Sequence, residues 1–359
     1  MKRIRSLDGI RAVAIILVLI SHVSGGIHSP ITHNKFFVIL GNGNLGVNIF
    51  FAISGYLITK LLLFERQKTG RISLKDFYVR RVLRIFPVFY LYILVVILLK
   101  VFFIPRLFEN YTMIVVAALY LWNYAHLFNL HINATNRNDL QLFGHFWSLS
   151  LEEQFYLIWP ITLIKLNSFT LKKTLVIILL IMPVIRVATY FFMPGSRGQI
   201  NMMLQTGSSS IFMGCLGALI ENTDFFNKKI VGIINNTKLI WGLAIFLFIL
   251  SPLLSLYFKG SYYVTIGNAL ETVCIIILLF WCVYVPSKVA WFLNSKIMVE
   301  IGILSYSLYI WQQLFLRGHV KLWFNRFPQN IFLVFIVAAI SYYLVEKPIL
   351  KLKKKFVKI

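Results

Sequence analysis

Apolar residues run along this chain in blocks separated by short polar stretches, near residues 9–27, 46–64, 86–104, 111–127, 147–166, 174–193, 207–221, 239–257, 266–285, 303–320 and 330–346. Each block approaches the roughly 20 residues that a helix needs to cross a bilayer. Basic residues collect between them, at the N-terminus, in residues 65–85 (Arg66, Lys68, Arg71, Lys75, Arg80, Arg81, Arg84), in 165–173, 228–238 and 286–298, and in the tail Lys347 to Lys358. The positive-inside rule places all of these segments in the cytoplasm. Two segments on one side must be joined by an even number of crossings, yet three blocks lie between residues 85 and 165. Block 111–127, short and carrying Trp122, Asn123 and His126, is therefore expected to be re-entrant or interfacial. The pattern predicts an all-α polytopic integral membrane protein with about ten transmembrane helices, one re-entrant or interfacial helix, and both termini cytoplasmic. Lys321 and Arg326, both placed outside, fit it least well.

Composition agrees: 59% of the 359 residues are hydrophobic and 13% charged, which excludes an ordinary soluble domain. A net charge of +24 suggests nucleic-acid binding in a soluble protein, but here the charge sorts by loop, so no nucleic-acid partner is expected. The first 30 residues begin with Lys2, Arg3 and Arg5 as a signal peptide would, yet no small-residue cleavage site follows. Cys215, Cys274 and Cys282 all lie within apolar blocks, which points to packing rather than to disulfides or a metal site. No appended soluble domain is visible, and residues 1–359 read as one transmembrane domain with a basic tail at 346–359.

The first block breaks its own pattern. Arg11 and His22 interrupt RSLDGIRAVAIILVLISH, and eleven residues at about 100° each bring both side chains to one helix face, about 16 Å apart along the axis. Polar groups in a span are costly and imply a bundle interior or cavity. An interfacial anchor for Arg11 and a packing hydrogen bond for His22 are the alternative. Counting residues from the span ends places His22 about 10 Å below the outer face, Ser54 and Arg186 about 12 Å, and Glu152 and Glu153 about 8 Å. Four spans are thus expected to bring polar groups to one level, as in a reaction site or substrate path, with an Arg186–Glu152 ion pair as the structural alternative. Tyr156 lies one turn below Glu152 on the same face.

Several of these stretches carry a resemblance. Leu7 to Ala12 (LDGIRA) followed by His22, GVNIFFAISG with Ser54 and Gly55, RRVLR with Arg80, Arg81 and Arg84, and WSLSLEEQFY from Trp147 to Tyr156 resemble, in order, motifs of the acyltransferase-3 family of bacterial membrane O-acyltransferases. SYSLYIWQQ is similar to a family segment that often has His after the Trp, but Gln312 stands there, so no second histidine base is expected from it. Asn48 stands where relatives often carry Asp or Ser, and Gly207 and Ser209 where some carry Arg and Asp, so nothing carries over at those positions. Glu346-Lys347-Pro348 resembles the terminal motif and reads as a helix stop.

The resemblance implies an inner-membrane enzyme that moves an acyl group, acetyl foremost, from acyl-coenzyme A to a hydroxyl of a cell-surface polysaccharide or lipid-linked sugar. Acetyl-CoA would be a substrate, with no permanently bound cofactor and no metal. The expected roles are His22 as general base, Glu152 to orient or stabilise its imidazolium, Arg11 or Arg186 to stabilise developing negative charge, and Arg80, Arg81 and Arg84 to dock the donor's phosphates. Ser54, Gly55, Tyr156, Arg186 and Gln312 would line the pocket, with Ser54 as an optional transient acyl carrier. For Arg80, Arg81 and Arg84, lipid headgroup binding or topology setting is the plainer reading, and for the glycines helix packing. A flippase for a lipid-linked sugar and acylation of a small secondary metabolite are the rival functions.

Overall fold

The computed structural model describes residues 3–24, 37, 41–105, 107–128, 130, 141–221, 223–258, 260–316 and 323–356, with the side chains of the last four left aside. Lys321, residues 25–27 and 317–320 at two block ends, and tail residues 357–359 lie outside these. Every regular element among the described residues is helical. Seven helices are long and apolar enough to cross a membrane: α1 (Arg5–Ser24), α2 (Gly43–Thr69), α3 (Leu74–Phe103), α6 (Ser168–Phe192), α8 (Thr237–Tyr257), α9 (Tyr263–Tyr284) and α11 (Gln329–Leu352). The apolar blocks at 147–166, 207–221 and 303–320 are occupied by α5 (Phe146–Lys165), α7 (Ser209–Ile220) and α10 (Lys296–Leu316). Block 111–127 forms only the short α4 (Thr112–Ala118) and a 3-10 turn at Trp122–Phe128.

The helices start where side chains can cap them. Asn42 accepts from the Leu45 amide, Ser73 from Asp76, Asn167 from Thr170 and Asn236 from Leu239, so orphan N–H groups at the starts of α2, α3, α6 and α8 are satisfied. Gly70 ends α2 with φ of 77°, a left-handed conformation that suits glycine.

Within lipid, close backbone approach replaces the hydrophobic effect as the packing force. Helix α1 packs on α2 and α10, and α2 on α7. A Cβ at Gly55 would collide with the Ile211 carbonyl, and one at Gly214 with the Ala52 carbonyl, so the two glycines seat α2 and α7 against each other. Burial separates centre from rim: 61% of the apolar window of α1 and of α2 is buried, against 22% for α6, α8 and α11.

Side-chain bonds show which helix ends lie together. At the basic end, Arg80 of α3 pairs with Glu65 of α2 at 2.7 Å, and Lys60 of α2 with Glu221 just beyond α7 at 2.5 Å. At the far end, His126 meets Gln199 at 2.6 Å and Tyr124 meets Gln205 at 2.7 Å, tying the 3-10 turn to the segment after α6.

Candidate active site

Arg11 and His22 share a face of α1 and open into different cavities. Arg11 lines the one toward the basic end, together with Ser54 of α2, Arg81 and Arg84 of α3, and Ser148, Glu152 and Tyr156 of α5. His22 lines the one toward the far end, with Asn42, Asn44, Gln141, His145, Trp147 and Gln313. Val47 and Tyr309 belong to the walls of both. The cavities measure about 170 Å³ and about 470 Å³ respectively.

Outside the lining of the basic-end cavity, Asp8, one turn before Arg11, receives the Arg11 Nη1 at 3.0 Å on one oxygen and the Arg3 Nε at 2.7 Å on the other. This bond fixes the Arg11 guanidinium. The Arg81 guanidinium lies 4.9 Å from the centre of the Tyr156 ring, and the Tyr156 hydroxyl shares a 2.5 Å hydrogen bond with Ser54 Oγ. Among the described residues, neither Arg81 nor Arg84 has a carboxylate within ion-pair distance. Arg80 is turned to Glu65 and does not line the cavity. Consecutive helix residues are about 100° apart, so the three arginines do not share one direction.

In the far-end cavity, His22 Nδ1 lies 2.9 Å from the Val18 carbonyl. A carbonyl only accepts, so this contact puts the proton of the neutral ring on Nδ1 and makes Nε2 the basic nitrogen. His145, just before α5, is 2% exposed; the Ile310 backbone lies beside its ring, and among the described residues neither ring nitrogen makes a well-formed hydrogen bond. Burial, and secondarily the nearby His22, holds its pKa well below the usual imidazole range, so the ring is neutral.

Tyr309 borders both cavities. Its hydroxyl donates to the His145 carbonyl at 3.0 Å and shares a 2.5 Å hydrogen bond with Ser148 Oγ. The ring is thereby tied to the first turn of α5.

Several expected placements change. Ser54 and Glu152 share a cavity with Arg11, not with His22, so the single polar level expected from counting depth is two levels. Arg186 lines neither cavity: it is fully buried, donates to Ser209 Oγ at 3.2 Å and the Tyr263 carbonyl at 3.4 Å, and has no carboxylate within ion-pair distance among the described residues. The Arg186–Glu152 pair does not form. Gly55 packs helices and does not line the pocket. Gln312 is fully buried outside both cavities with neither amide atom bonded among the described residues, while its neighbour Gln313 lines the His22 cavity. Sequence reasoning missed Asp8, His145, Ser148 and Tyr309; all lie within or beside the motifs, which was their only signal.

The chain is similar to the O-acetyltransferase OatA of Staphylococcus aureus (strain NCTC 8325 / PS 47), at 29% identity over 96% of this chain and 57% of that protein. It is likewise similar to the peptidoglycan O-acetyltransferase OatA of Listeria monocytogenes serovar 1/2a (strain ATCC BAA-679 / EGD-e), at 27% identity over 98% of this chain and 56% of that one. A putative O-acetyltransferase of S. aureus (strain COL) is 28% identical over 98% of this chain and 58% of its own length. The chain thus spans a little over half the length of these relatives. No solved structure matches it. The acyltransferase-3 model, described as an acyltransferase domain, matches residues 4–346, nearly the whole chain, which therefore belongs to that family.

Proposed function

We propose that this protein is a membrane O-acetyltransferase that takes acetyl from acetyl-CoA at its basic, cytoplasmic end and delivers it to a hydroxyl of an envelope glycan at its far end. The observation that carries this reading is the pair of cavities that share Tyr309, one lined by Arg11, which is paired with Asp8, and by Arg81 and Arg84, which have no carboxylate within ion-pair distance among the described residues, and the other by a histidine with a defined tautomer. The names of the relatives support O-acetyl transfer, and the L. monocytogenes relative's name makes a peptidoglycan-type glycan the leading acceptor.

In this proposal the phosphate oxygens of the donor dock on Arg81 and Arg84, whose guanidiniums suit them geometrically. Arg80 supports α3 through Glu65. The pantetheine arm runs along Phe50, Leu57 and Ile58, bringing the thioester to the Tyr309 wall. An acceptor hydroxyl enters beside His22, whose Nε2 takes its proton as the oxygen attacks the thioester carbonyl. The carbon–sulfur bond breaks, and the imidazolium returns the proton to the departing thiolate, so ester and free coenzyme A are the products. Arg11, held by Asp8, faces the donor side and stabilises negative charge there. Glu152 acts among the arginines of that cavity instead of beside His22.

The test supplies membranes containing the protein with acetyl-labelled acetyl-CoA and envelope glycan from its own host. Label in base-labile glycan esters supports the proposal. Glycan movement across the membrane without any donor requirement would replace it with the flippase reading, and label on small soluble metabolites alone would replace the acceptor.

A further inference from the structure

The His22 cavity shares part of its wall with a second one. Asn42, Asn44 and Ser255 also border a second lobe, of about 460 Å³, that continues between the far ends of α6, α8 and α9 and is lined by Arg197, Asn201 and Glu271. Glu271 is 2% exposed; its Oε1 accepts from Ser251 Oγ at 2.6 Å, and its Oε2 has no partner among the described residues. Asn201 Oδ1, also shielded from solvent, has none among them either. A buried acceptor left without a donor is costly, and here both belong to residues that line one lobe. At the same lobe the Arg197 guanidinium is held 4.6 Å from the Tyr190 ring centre, its Nε bonded to the Tyr190 carbonyl at 2.9 Å. Both α8 and α9 carry a π-turn just ahead of the lobe's key residues, Phe246–Leu250 before Ser251 and Tyr263–Gly267 before Glu271. Such wide turns recur at functional sites.

Resting on the acyl-transfer reading above, we infer that this lobe is a second acceptor subsite, which holds the sugar ring adjoining the one acetylated at His22 by taking hydroxyl or amide N–H donors onto Glu271 and Asn201. Orphaned acceptors select a ligand rich in donors, which a polyhydroxylated ring supplies and a thioester or acyl chain does not. The two lobes are nearly equal in volume and share Asn42, Asn44 and Ser255, so the acceptor in this inference is an extended glycan rather than a single small alcohol.

Glu271→Gln is the sharp variant: the amide oxygen can still accept from Ser251, while the orphaned position becomes an N–H donor and repels the donors that the ligand brings. Thr265→Trp, at another residue of the lobe, fills the space without altering Glu271. The assay measures label transfer from acetyl-CoA to envelope glycan isolated from a host strain lacking the gene, over a range of glycan and donor concentrations. Both variants are expected to raise the glycan concentration for half-maximal rate at least about tenfold while the donor KM keeps its wild-type value. Unchanged glycan dependence in both variants overturns the subsite. A parallel rise in donor KM also overturns it, because the lobe would then act through the shared fold. If the wild type transfers no label to this glycan, the acyl-transfer reading itself fails and takes the subsite with it, a result distinct from the other two.

Discussion

Tyr309 Oη and Ser148 Oγ lie 2.5 Å apart, on two helices whose residues line both the Arg11 cavity and the His22 cavity. Tyr309 borders both cavities, and in the proposed reaction its side chain narrows the opening through which the thioester meets the acceptor and limits the entry of water. Removing that side chain should widen the opening: Tyr309→Ala is expected to raise release of free acetate relative to glycan ester several-fold, as water gains access to the thioester. Simultaneous measurement of acetate and ester checks this; an unchanged ratio would mean that the restriction lies elsewhere.

Neighbouring arginines should fail in different ways. Arg84→Ala or Arg81→Ala should raise the donor KM by about ten- to a hundredfold through loss of a charge-assisted phosphate contact. Arg80→Ala leaves Glu65 buried without its cation and should lower thermal stability, on the order of 3 kcal/mol, with donor KM little changed. Kinetics and thermal unfolding on the three purified variants separate the two effects.

Gly55 tests the packing. Gly55→Val places a side chain against the Ile211 carbonyl and must push α2 away from α7. Little folded, monodisperse protein should be recovered. Full recovery with wild-type kinetics would show that the interface tolerates separation.

His145 should leave a signature in acid. Its folded-state pKa lies well below the usual value because of burial and the nearby His22, so the unfolded chain takes up a proton below about pH 6.5 that the folded protein refuses. Stability therefore falls as pH drops below about 6.5, and the fall should be shallower in His145→Phe. Thermal unfolding between pH 7.5 and about 5 on both proteins measures the difference.

The spans were legible because block length alone suffices: α1, α2 and α9 lie within a few residues of the predicted blocks. The Arg11–His22 stripe was legible because helical periodicity places side chains without reference to neighbours. Relative depth was not. Counting from span ends ignores tilt and axial offset between helices, and it set Ser54 and Glu152 beside His22 when both lie with Arg11. The three arginines read as one cluster because nothing local to RRVLR reveals that Glu65, fifteen residues earlier, claims Arg80. His145 and Tyr309 matter through a carbonyl contact between α10 and the start of α5, a relation that single-sequence patterns do not encode.

The most direct test of the account is the rate of acetyl transfer to host envelope glycan by His22→Ala, measured beside the wild type at saturating acetyl-CoA. Loss of the general base should lower the rate about 100- to 10,000-fold with donor KM unchanged, since His22 faces the acceptor cavity and the arginines the donor one. Transfer at the wild-type rate would contradict the account, removing His22 from the chemistry and leaving the reaction to Glu152 and Ser54 on the other side of Tyr309.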